Sequence, residues 1–409
     1  MEVIIREEHT RIYDFKGLLF ISLIVIYCLN LFDYGRYLVF LLFPLVVYYC
    51  LAGTYSRRFT QTSFLLMTFS IFYAFFVFYN NLSTLNIVFA YELLAPITLY
   101  VIGYRFSEDD KSYRKSFYLM LLVVISLSMV GFLSLLKTIN LYGSMDSAAS
   151  ILYGRYVIQL WNDNPMTATG ANTFISLGLI LLPMLFVKDK EIVLNNRLKG
   201  IMFFCFIASC YTAFQLGNRT SLLIVGASVI MIYFFNVRIN ITKVIKTIVF
   251  SFPILFLSAI AFYYNFFGMR EKWENSLFAN RLSQQDYAED PRFQAWGEFS
   301  SSIFRNPLGG RVEELSLNYA HNMWLDVGYD AGIIPFLFLV VFTLLALTSI
   351  LKFLKGNHPV LLKSLVLGIT IAMFITFMLE PIFQGWFYYF TIFCLILGSI
   401  HRLLYDQSN

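Results

Sequence analysis

Residues 288–335 read AEDPRFQAWGEFSSSIFRNPLGGRVEELSLNYAHNMWLDVGYDAGIIP, and they form the last and longest polar interruption of an otherwise apolar chain. On both sides of this stretch lie apolar runs of about 17–25 residues, the length at which a helix crosses a hydrocarbon core. The 409 residues are 58% apolar and only 13% charged, whereas a soluble domain is about 25% charged. This composition predicts an all-α polytopic membrane protein, with residues 1–409 forming a single integral membrane domain.

The apolar runs predict twelve transmembrane helices. These cover residues 17–33, 35–52, 62–79, 85–104, 116–137, 168–187, 200–216, 221–237, 244–264, 326–351, 360–380 and 384–404. Short cytoplasmic loops are enriched in Lys and Arg, so these residues indicate the orientation. With the N-terminus inside, two thirds of the 30 Lys and Arg residues fall on the inner side. We therefore expect both termini in the cytoplasm and the long loop 265–325 outside.

Composition also argues against several classes of partner. The formal net charge of +5 follows from the basic inner loops, so it needs no nucleic acid to explain it. The five cysteines lie in apolar runs, are odd in number and form no Cys-x-x-Cys motif. The sequence therefore predicts neither a disulfide framework nor a metal site, and no cofactor is expected.

The long outer loop 265–325 contains a predicted amphipathic helix. Its apolar side chains recur at the spacing of one helix face, and they are Phe293, Trp296, Phe299 and Ile303. Pro291 suits the first turn of such a helix, and Asn306 with Pro307 ends it. We expect this helix to lie along the outer membrane surface or to cap a cavity between the spans.

Two arginines on the predicted outer side are candidates for binding a diphosphate. A guanidinium is planar, always charged and able to make paired hydrogen bonds to phosphate oxygens. Arg219 lies in a short turn between two apolar spans, where the alternative role is an anchor at the membrane interface. Arg292 lies in the first turn of the predicted loop helix, where the alternative is a salt bridge with Glu289 or Asp290.

His321 is the candidate general base, because histidine has the unperturbed pKa nearest neutrality. The alternative is a hydrogen-bonding group at the membrane boundary. On a continuous helix, His321 would share one stripe with Leu325, Gly328 and Gly332, and these glycines would allow close helix packing. Glu380, at the outer end of the eleventh predicted span, is expected to orient the histidine. The alternative for Glu380 is a carboxylate that only ends its helix.

Two further polar features allow both a structural and a functional interpretation. Glu92 lies inside the fourth predicted span, where an acid usually faces a cavity or a partner. It would otherwise be a helix-end carboxylate that meets a nearby Tyr or Arg. The outer loop 138–167 either binds a sugar or only anchors the chain at the interface. Its side chains of the types that bind sugars are Arg155, Trp161, Asp163 and Asn164.

Four short motifs follow one another in the second half of the chain. One is NRTSL at residues 218–222, an Arg followed by small or apolar residues at the start of a span. Another is PRFQAW at residues 291–296, where an Arg precedes apolar residues and a Trp early in the long loop. The third is the turn NPLGG at residues 306–310. The last is HN at residues 321–322, followed after nine residues by Gly332.

In this order, and in a twelve-span chain whose long loop comes late, these motifs resemble the O-antigen ligase and O-antigen polymerase superfamily of bacterial envelope enzymes. The resemblance covers residues 200–345, approximately. One position departs from the family pattern. Pro335 stands three residues after Gly332, where the family often has Gly or a similar residue. A proline there is expected to bend the tenth span, because it removes a helix hydrogen bond.

The resemblance implies a C-type glycosyltransferase of the bacterial inner membrane, with its active site on the periplasmic face. The implied reaction moves a glycan from an undecaprenyl-diphosphate carrier to a sugar hydroxyl. Arg219 and Arg292 would stabilise the diphosphate leaving group in place of a metal, and His321 would accept the hydroxyl proton. Asn322 and Glu380 would support them. The implied partners are the lipid-linked donor, a glycan or lipid A core acceptor, the bilayer and a chain-length regulator protein.

Several functions remain open at this point. A polymerase would join lipid-linked repeat units, and the modest length of the loop 265–325 favours it. A ligase would transfer the finished polymer to the lipid A core, and it shares the motifs. A lipid-linked oligosaccharide flippase is less favoured, because transporters commonly show two related halves with a site near the midplane. The clustering of polar residues at one predicted face also disfavours a structural scaffold.

Overall fold

The computed structural model describes residues 15–52, 57–80, 87–107, 112–236, 260, 262–274, 276–279 and 291–406. These residues are mostly helical. The helices are α1 (Phe15–Leu29), α2 (Leu38–Ala52), α3 (Arg57–Tyr79), α4 (Ile87–Phe106), α5 (Ser112–Tyr142), α6 (Met145–Ile151), α7 (Ala168–Ile175), α8 (Leu181–Met184), α9 (Asn196–Gln215), α10 (Thr220–Asn236), α11 (Met269–Glu274), α12 (Pro291–Arg305), α13 (Met323–Ala331), α14 (Ile333–Lys355), α15 (Val360–Leu379) and α16 (Phe387–Asp406). The strands β1 (Tyr156–Ile158) and β2 (Pro165–Thr167) form an antiparallel hairpin.

Seven helical segments among the described residues are long and apolar enough to cross a membrane. They are Phe59–Tyr79, Ile87–Phe106, Tyr113–Tyr142, Asn196–Gln215, Ile333–Lys355, Val360–Leu379 and Phe387–Asp406. Three shorter apolar helices, Leu19–Leu29, Gly35–Leu51 and Thr220–Phe235, accompany them. This is an all-α architecture with several candidate membrane spans, as the composition predicts. The total of twelve stays a prediction, and the predicted span 244–264 lies largely outside the described residues.

The predicted span 168–187 is an interrupted helix. Helix α7 ends at Ile175, a 3-10 turn covers Gly178–Ile180, and α8 covers only Leu181–Met184. Irregular backbone at membrane depth is tolerated where protein surrounds it. Residues 170–181 are buried throughout, so the interruption meets this condition.

The predicted span 326–351 is also interrupted, and here the sequence-based prediction is wrong. Helix α13 ends at Ala331, Gly332 has a φ of +87°, and α14 begins at Ile333. Pro335 is therefore not the position of the expected bend. Pro335 lies in the first turn of α14, where a helix needs no N–H from it. The chain changes direction at the glycine instead.

The chain divides into two compact units. The first contains Met1–Leu127, Ala295–Lys363 and Glu380–Asn409, and the second contains Ser128–Gln294 and Ser364–Leu379. In the first unit, α4 and α16 touch backbone to backbone, because a Cβ on Gly103 would collide with the carbonyl of Leu395. The Ser399 hydroxyl adds a hydrogen bond of 3.0 Å to the Gly103 carbonyl. Small residues at such positions are a common means of helix packing in membranes.

The second unit packs through small and hydroxyl side chains as well. A Cβ on Gly178, in the interrupted helix, would collide with the hydroxyls of Ser128 on α5 and Ser209 on α9. Phe132 and Phe204 meet edge to face beside them, with ring centroids 5.9 Å apart. The interrupted helix is therefore enclosed between α5 and α9.

Helix α12 starts at Pro291, and it buries its apolar face against protein. Ala295 and Phe299 form a core cluster with Ala320 and Tyr329, and Trp296 packs on that cluster. The face is shorter than the sequence spacing suggests, because Phe293 is 55% exposed. Docking on the turn before α13 and on α13 itself places α12 beside the predicted general base.

Candidate active site

His321 lies in the turn before α13, with a left-handed backbone at φ +52°. Residues other than glycine rarely adopt this conformation. One carboxylate holds both neighbours of the histidine, because the Ala320 N–H donates to Asp326 Oδ1 at 2.7 Å and the Asn322 N–H donates to Oδ2 at 3.3 Å. The predicted helical stripe through His321 is therefore wrong, since the histidine precedes the helix and is positioned by its turn.

Trp296 ties the loop helix to the same turn. Its indole Nε1–H donates to the Ala320 carbonyl at 2.9 Å. Ala320 is fully buried in the cluster that α12 covers. The tryptophan of the second motif and the histidine of the fourth thus belong to one packed assembly within the first unit.

Asn322 has a structural role in the observed contacts. Its Oδ1 accepts the N–H groups of Trp324 and Leu325, each at 3.2 Å. This is the N-cap position of α13, where Asn is among the preferred residues because it satisfies N–H groups that lack a helical partner. The supporting role that the sequence predicts for Asn322 in chemistry stays a prediction.

Asp330 accepts hydrogen bonds from four other residues of the first unit. Its Oδ1 accepts the Arg311 Nε–H at 2.7 Å, and its Oδ2 accepts a Gln384 Nε2–H at 2.7 Å. Its backbone carbonyl accepts the Gly310 N–H at 2.9 Å and an Asn80 Nδ2–H at 3.4 Å. A carboxylate that is 4% exposed needs such partners, because an isolated buried charge is very unfavourable.

Arg311 is the cation of this assembly. Burial lowers the pKa of its guanidinium, but the ion pair with Asp330 outweighs burial, and the pKa rises above its usual range. The guanidinium carbon also lies 5.2 Å from the centre of the Tyr319 ring, a cation–π arrangement. Asp330 is within electrostatic range of two more carboxylates, those of Glu92 and Asp326. Among the residues that the structure describes, no group of three or more His, Cys, Asp or Glu side chains is arranged to hold a metal ion.

The third and fourth motifs interlock through their glycines. A Cβ on Gly309 would lie only 2.5 Å from the Gly332 backbone nitrogen, and a Cβ on Gly332 would collide with the Pro307 carbonyl. The Ile333 N–H donates to that same carbonyl at 2.9 Å. The turn at residues 306–310 therefore fits directly into the break between α13 and α14, and only residues without a side chain leave room for it.

Glu380 follows the last residue of α15 and is 1% exposed. It belongs to the first unit, as His321 does. Its predicted effect on the histidine stays a prediction.

Arg219 lies in a tight turn between α9 and α10. Gly217 ends α9 in a left-handed conformation at φ +58°, and the Asn218 N–H donates back to the Ala213 carbonyl at 2.9 Å. This pattern is a Schellman motif, which satisfies the last carbonyls of a helix. The Asn218 Oδ1 then accepts the Thr220 N–H at 3.1 Å, which starts α10. Arg219 is half-buried between these two fixed points.

Arg155 supports the same turn. Its Nη1 donates to the carbonyls of Leu216 at 3.0 Å and Gly217 at 3.4 Å. Its own carbonyl accepts the Ala168 N–H at 2.9 Å, beside the β1–β2 hairpin. A cation at the C-terminal end of a helix also interacts favourably with the helix dipole. The sequence suggests Arg155 as a sugar contact, whereas its described contacts hold the turn that carries Arg219.

Arg292 lies in the first turn of α12 and is half-buried. Its Nη1 donates to the carbonyl of Leu379, the last residue of α15, at 3.0 Å. The alternative partners Glu289 and Asp290 lie outside the described residues. The guanidinium thus has a backbone acceptor at a helix C-terminus.

The predicted site residues fall into two groups. His321, Asn322 and Glu380 belong to the first unit, and Arg219 and Arg292 belong to the second. Their convergence on one substrate stays a prediction.

Sequence reasoning missed Asp326, which holds the turn around His321, and it missed Asp330 with two of its partners, Arg311 and Gln384. Asp330 could have been identified from the sequence, because an acid in a predicted span usually has a partner. Arg311 follows the two glycines of the third motif, and that position alone indicates no partner. Gln384 gives no sequence signal, since it lies 54 residues from Asp330. No protein-family model and no curated protein matches the chain.

Proposed function

We propose that this chain is a metal-independent membrane glycosyltransferase of the O-antigen polymerase type. It transfers a glycan from an undecaprenyl-diphosphate carrier to a sugar hydroxyl of another lipid-linked repeat unit, at the periplasmic face of a bacterial inner membrane. The observation that carries the proposal is the backbone of His321, left-handed and held by Asp326 on both sides. Such strained conformations persist only where the surroundings enforce them, and they cluster at functional sites.

A second observation supports the resemblance on which the proposal rests. The motif at residues 306–310 and the final glycine of the histidine motif, Gly332, are separate in the sequence but in backbone contact in the fold. The two motifs therefore form one structural feature of the chain.

The proposed chemistry uses three side chains. The acceptor hydroxyl oxygen bonds to the anomeric carbon of the donor sugar while the bond from that carbon to the diphosphate oxygen breaks. His321 takes the hydroxyl proton, and the electron pair of the broken bond stays on the diphosphate. Arg219 and Arg292 stabilise that negative charge, which is greater in the transition state than in the bound donor.

Glycan transfer from a purified polyprenyl-diphosphate donor tests the proposal, with a chelator present and no added metal. Arg219→Lys and Arg292→Lys are expected to lose about 100- to 1,000-fold in rate, as when one transition-state donor is removed, because an ammonium cannot make paired hydrogen bonds. His321→Ala should abolish transfer. Protein level should stay normal, since a lysine ammonium can also donate to the Leu379 carbonyl that Arg292 contacts.

The acceptor offered in this assay separates polymerase from ligase. Transfer to a lipid-linked repeat unit supports the polymerase, and transfer only to lipid A core identifies a ligase. Wild-type rates in Arg219→Lys would contradict the diphosphate role, and loss of wild-type transfer in chelator would contradict the metal-independent route.

A further inference from the structure

Within the described part of the chain, the side-chain amide of Asn218 has a hydrogen-bond partner at its oxygen and none at its nitrogen. The residue is 5% exposed. Its Oδ1 accepts the Thr220 N–H at 3.1 Å, whereas its Nδ2 is buried and has no hydrogen-bond partner in the described structure. Buried side-chain donors nearly always have an acceptor, so an exception needs an explanation.

The unsatisfied donor lies at a place suited to an anion. Because Oδ1 binds the first N–H of α10, the whole planar amide sits at the N-terminal end of that 17-residue helix. The N-terminal end of a helix carries a partial positive charge and favours phosphate groups. The next residue in the chain is Arg219, which adds a full positive charge.

The turn is also fixed before any ligand arrives. Arg155 holds the carbonyls of Leu216 and Gly217, and the Ser221 hydroxyl donates to the Asn218 carbonyl at 2.6 Å. A donor held in place before binding loses little conformational entropy when the ligand binds. The amide therefore has the geometry of a binding group, beyond its role in starting the helix.

We propose that the Asn218 Nδ2–H₂ donates a hydrogen bond to a phosphate oxygen of the carrier diphosphate, beside Arg219 at the N-terminal end of α10. Arg155 acts as a positioning residue, because it fixes the turn and makes its described contacts with backbone carbonyls. This inference rests on the proposed function and extends it, since it adds a neutral donor to the two arginines.

Asn218→Asp is the sharpest variant. Aspartate keeps an oxygen for the Thr220 N–H, because Asp and Asn form the same turn with the N–H two residues ahead. It replaces the Nδ2 donor by a negatively charged oxygen. The melting temperature of the purified chain in detergent should change little, because the helix N-terminus and the neighbouring Arg219 favour an acid, whereas burial disfavours its charge. Binding of farnesyl diphosphate should weaken by about 10- to 100-fold, the range for a lost hydrogen bond to a charged group.

Asn195→Asp is the matched control. Asn195 is the N-cap of α9, where its Oδ1 accepts the Leu198 N–H at 2.8 Å, and it is exposed. The same substitution there should leave farnesyl diphosphate binding unchanged. Asn218→Ser keeps an oxygen that can accept the Thr220 N–H but has no amide nitrogen at the Nδ2 position. This variant decides the question if the aspartate variant lowers the melting temperature.

Binding is measured by calorimetry on the full chain in detergent, with farnesyl diphosphate as the probe and inorganic pyrophosphate or phosphatidylglycerol as competitors. Competition by pyrophosphate supports a diphosphate site, and equal competition by phosphatidylglycerol overturns it. Wild-type affinity in the Asn218 variants, or no binding by the wild type, also overturns the inference. Asn218-dependent binding in a protein that transfers no glycan would instead contradict the proposed function and leave the inference standing.

Discussion

Asp326 fixes the backbone on both sides of His321, and this is the contact that gives the histidine its conformation. The carboxylate is 1% exposed and accepts the N–H groups of Ala320 and Asn322. Without these bonds, both N–H groups would be buried next to a residue at φ +52°. The side chain of Asp326 therefore stabilises a conformation that is unfavourable by itself.

Replacing Asp326 should expose this dependence. Asp326→Ala leaves two buried N–H groups without an acceptor, and each such loss costs about 1–3 kcal/mol. We expect a clear fall in the melting temperature of the purified protein in detergent, together with a loss of glycan transfer. Asp326→Asn keeps one oxygen for the Ala320 N–H and should lose less of both. An unchanged melting temperature in Asp326→Ala would show that the turn does not need the carboxylate.

At the scale of secondary-structure elements, the break between α13 and α14 is the feature that organises the first unit. The break receives the turn at residues 306–310, and Asp330 at the end of α13 binds partners from three other segments. A continuous helix through Gly332 would fill the space that the turn occupies. The break is therefore a packing requirement, independent of the proline that follows it.

Gly309→Ala tests this packing. The residue has a φ of +75°, and a Cβ would lie 2.5 Å from the Gly332 nitrogen and 2.6 Å from the Asp330 carbonyl oxygen. Strain and backbone collision together should cost roughly 3 kcal/mol or more, seen as little monodisperse protein and a low melting temperature.

The matched control for this substitution is Gly297→Ala. Gly297 lies in the middle of α12 on its exposed side, where a Cβ meets nothing within 4 Å. That change should be neutral or stabilising, because alanine favours a helix over glycine by about 1 kcal/mol. Equal behaviour of the two variants would contradict the interlocked turn.

At the scale of the whole molecule, the orientation in the membrane is a prediction from the basic residues alone. Reporter fusions near residues 57, 110, 192 and 357 should give cytoplasmic signals, and fusions near 150 and 295 should give external ones, because short basic loops stay inside. An external signal near 192 would reverse the sidedness of the proposed site. Positions 57, 150, 192, 295 and 357 lie in described segments, so each of these signals can be compared with the structure.

Part of the candidate site could be predicted from the sequence. The loop helix could be predicted, because Pro291 and the apolar spacing after it are local signals. The partners of Asp330 were not, because Arg311 and Gln384 lie 19 and 54 residues away from it. The same holds for Arg155, which reaches Leu216 across 61 residues.

The sequence by itself determined the helical character of the chain and its apolar runs of membrane-spanning length, because the length and hydropathy of an apolar run are local properties. It also marked the turns, since Gly and Pro act through their own backbones. Only the tertiary structure decided where the helix around Gly332 breaks and how His321 is held. These features depend on the backbone of residues 306–310 and on Asp326 meeting their partners in space. Such pairings arise from packing between segments, and no local pattern encodes them.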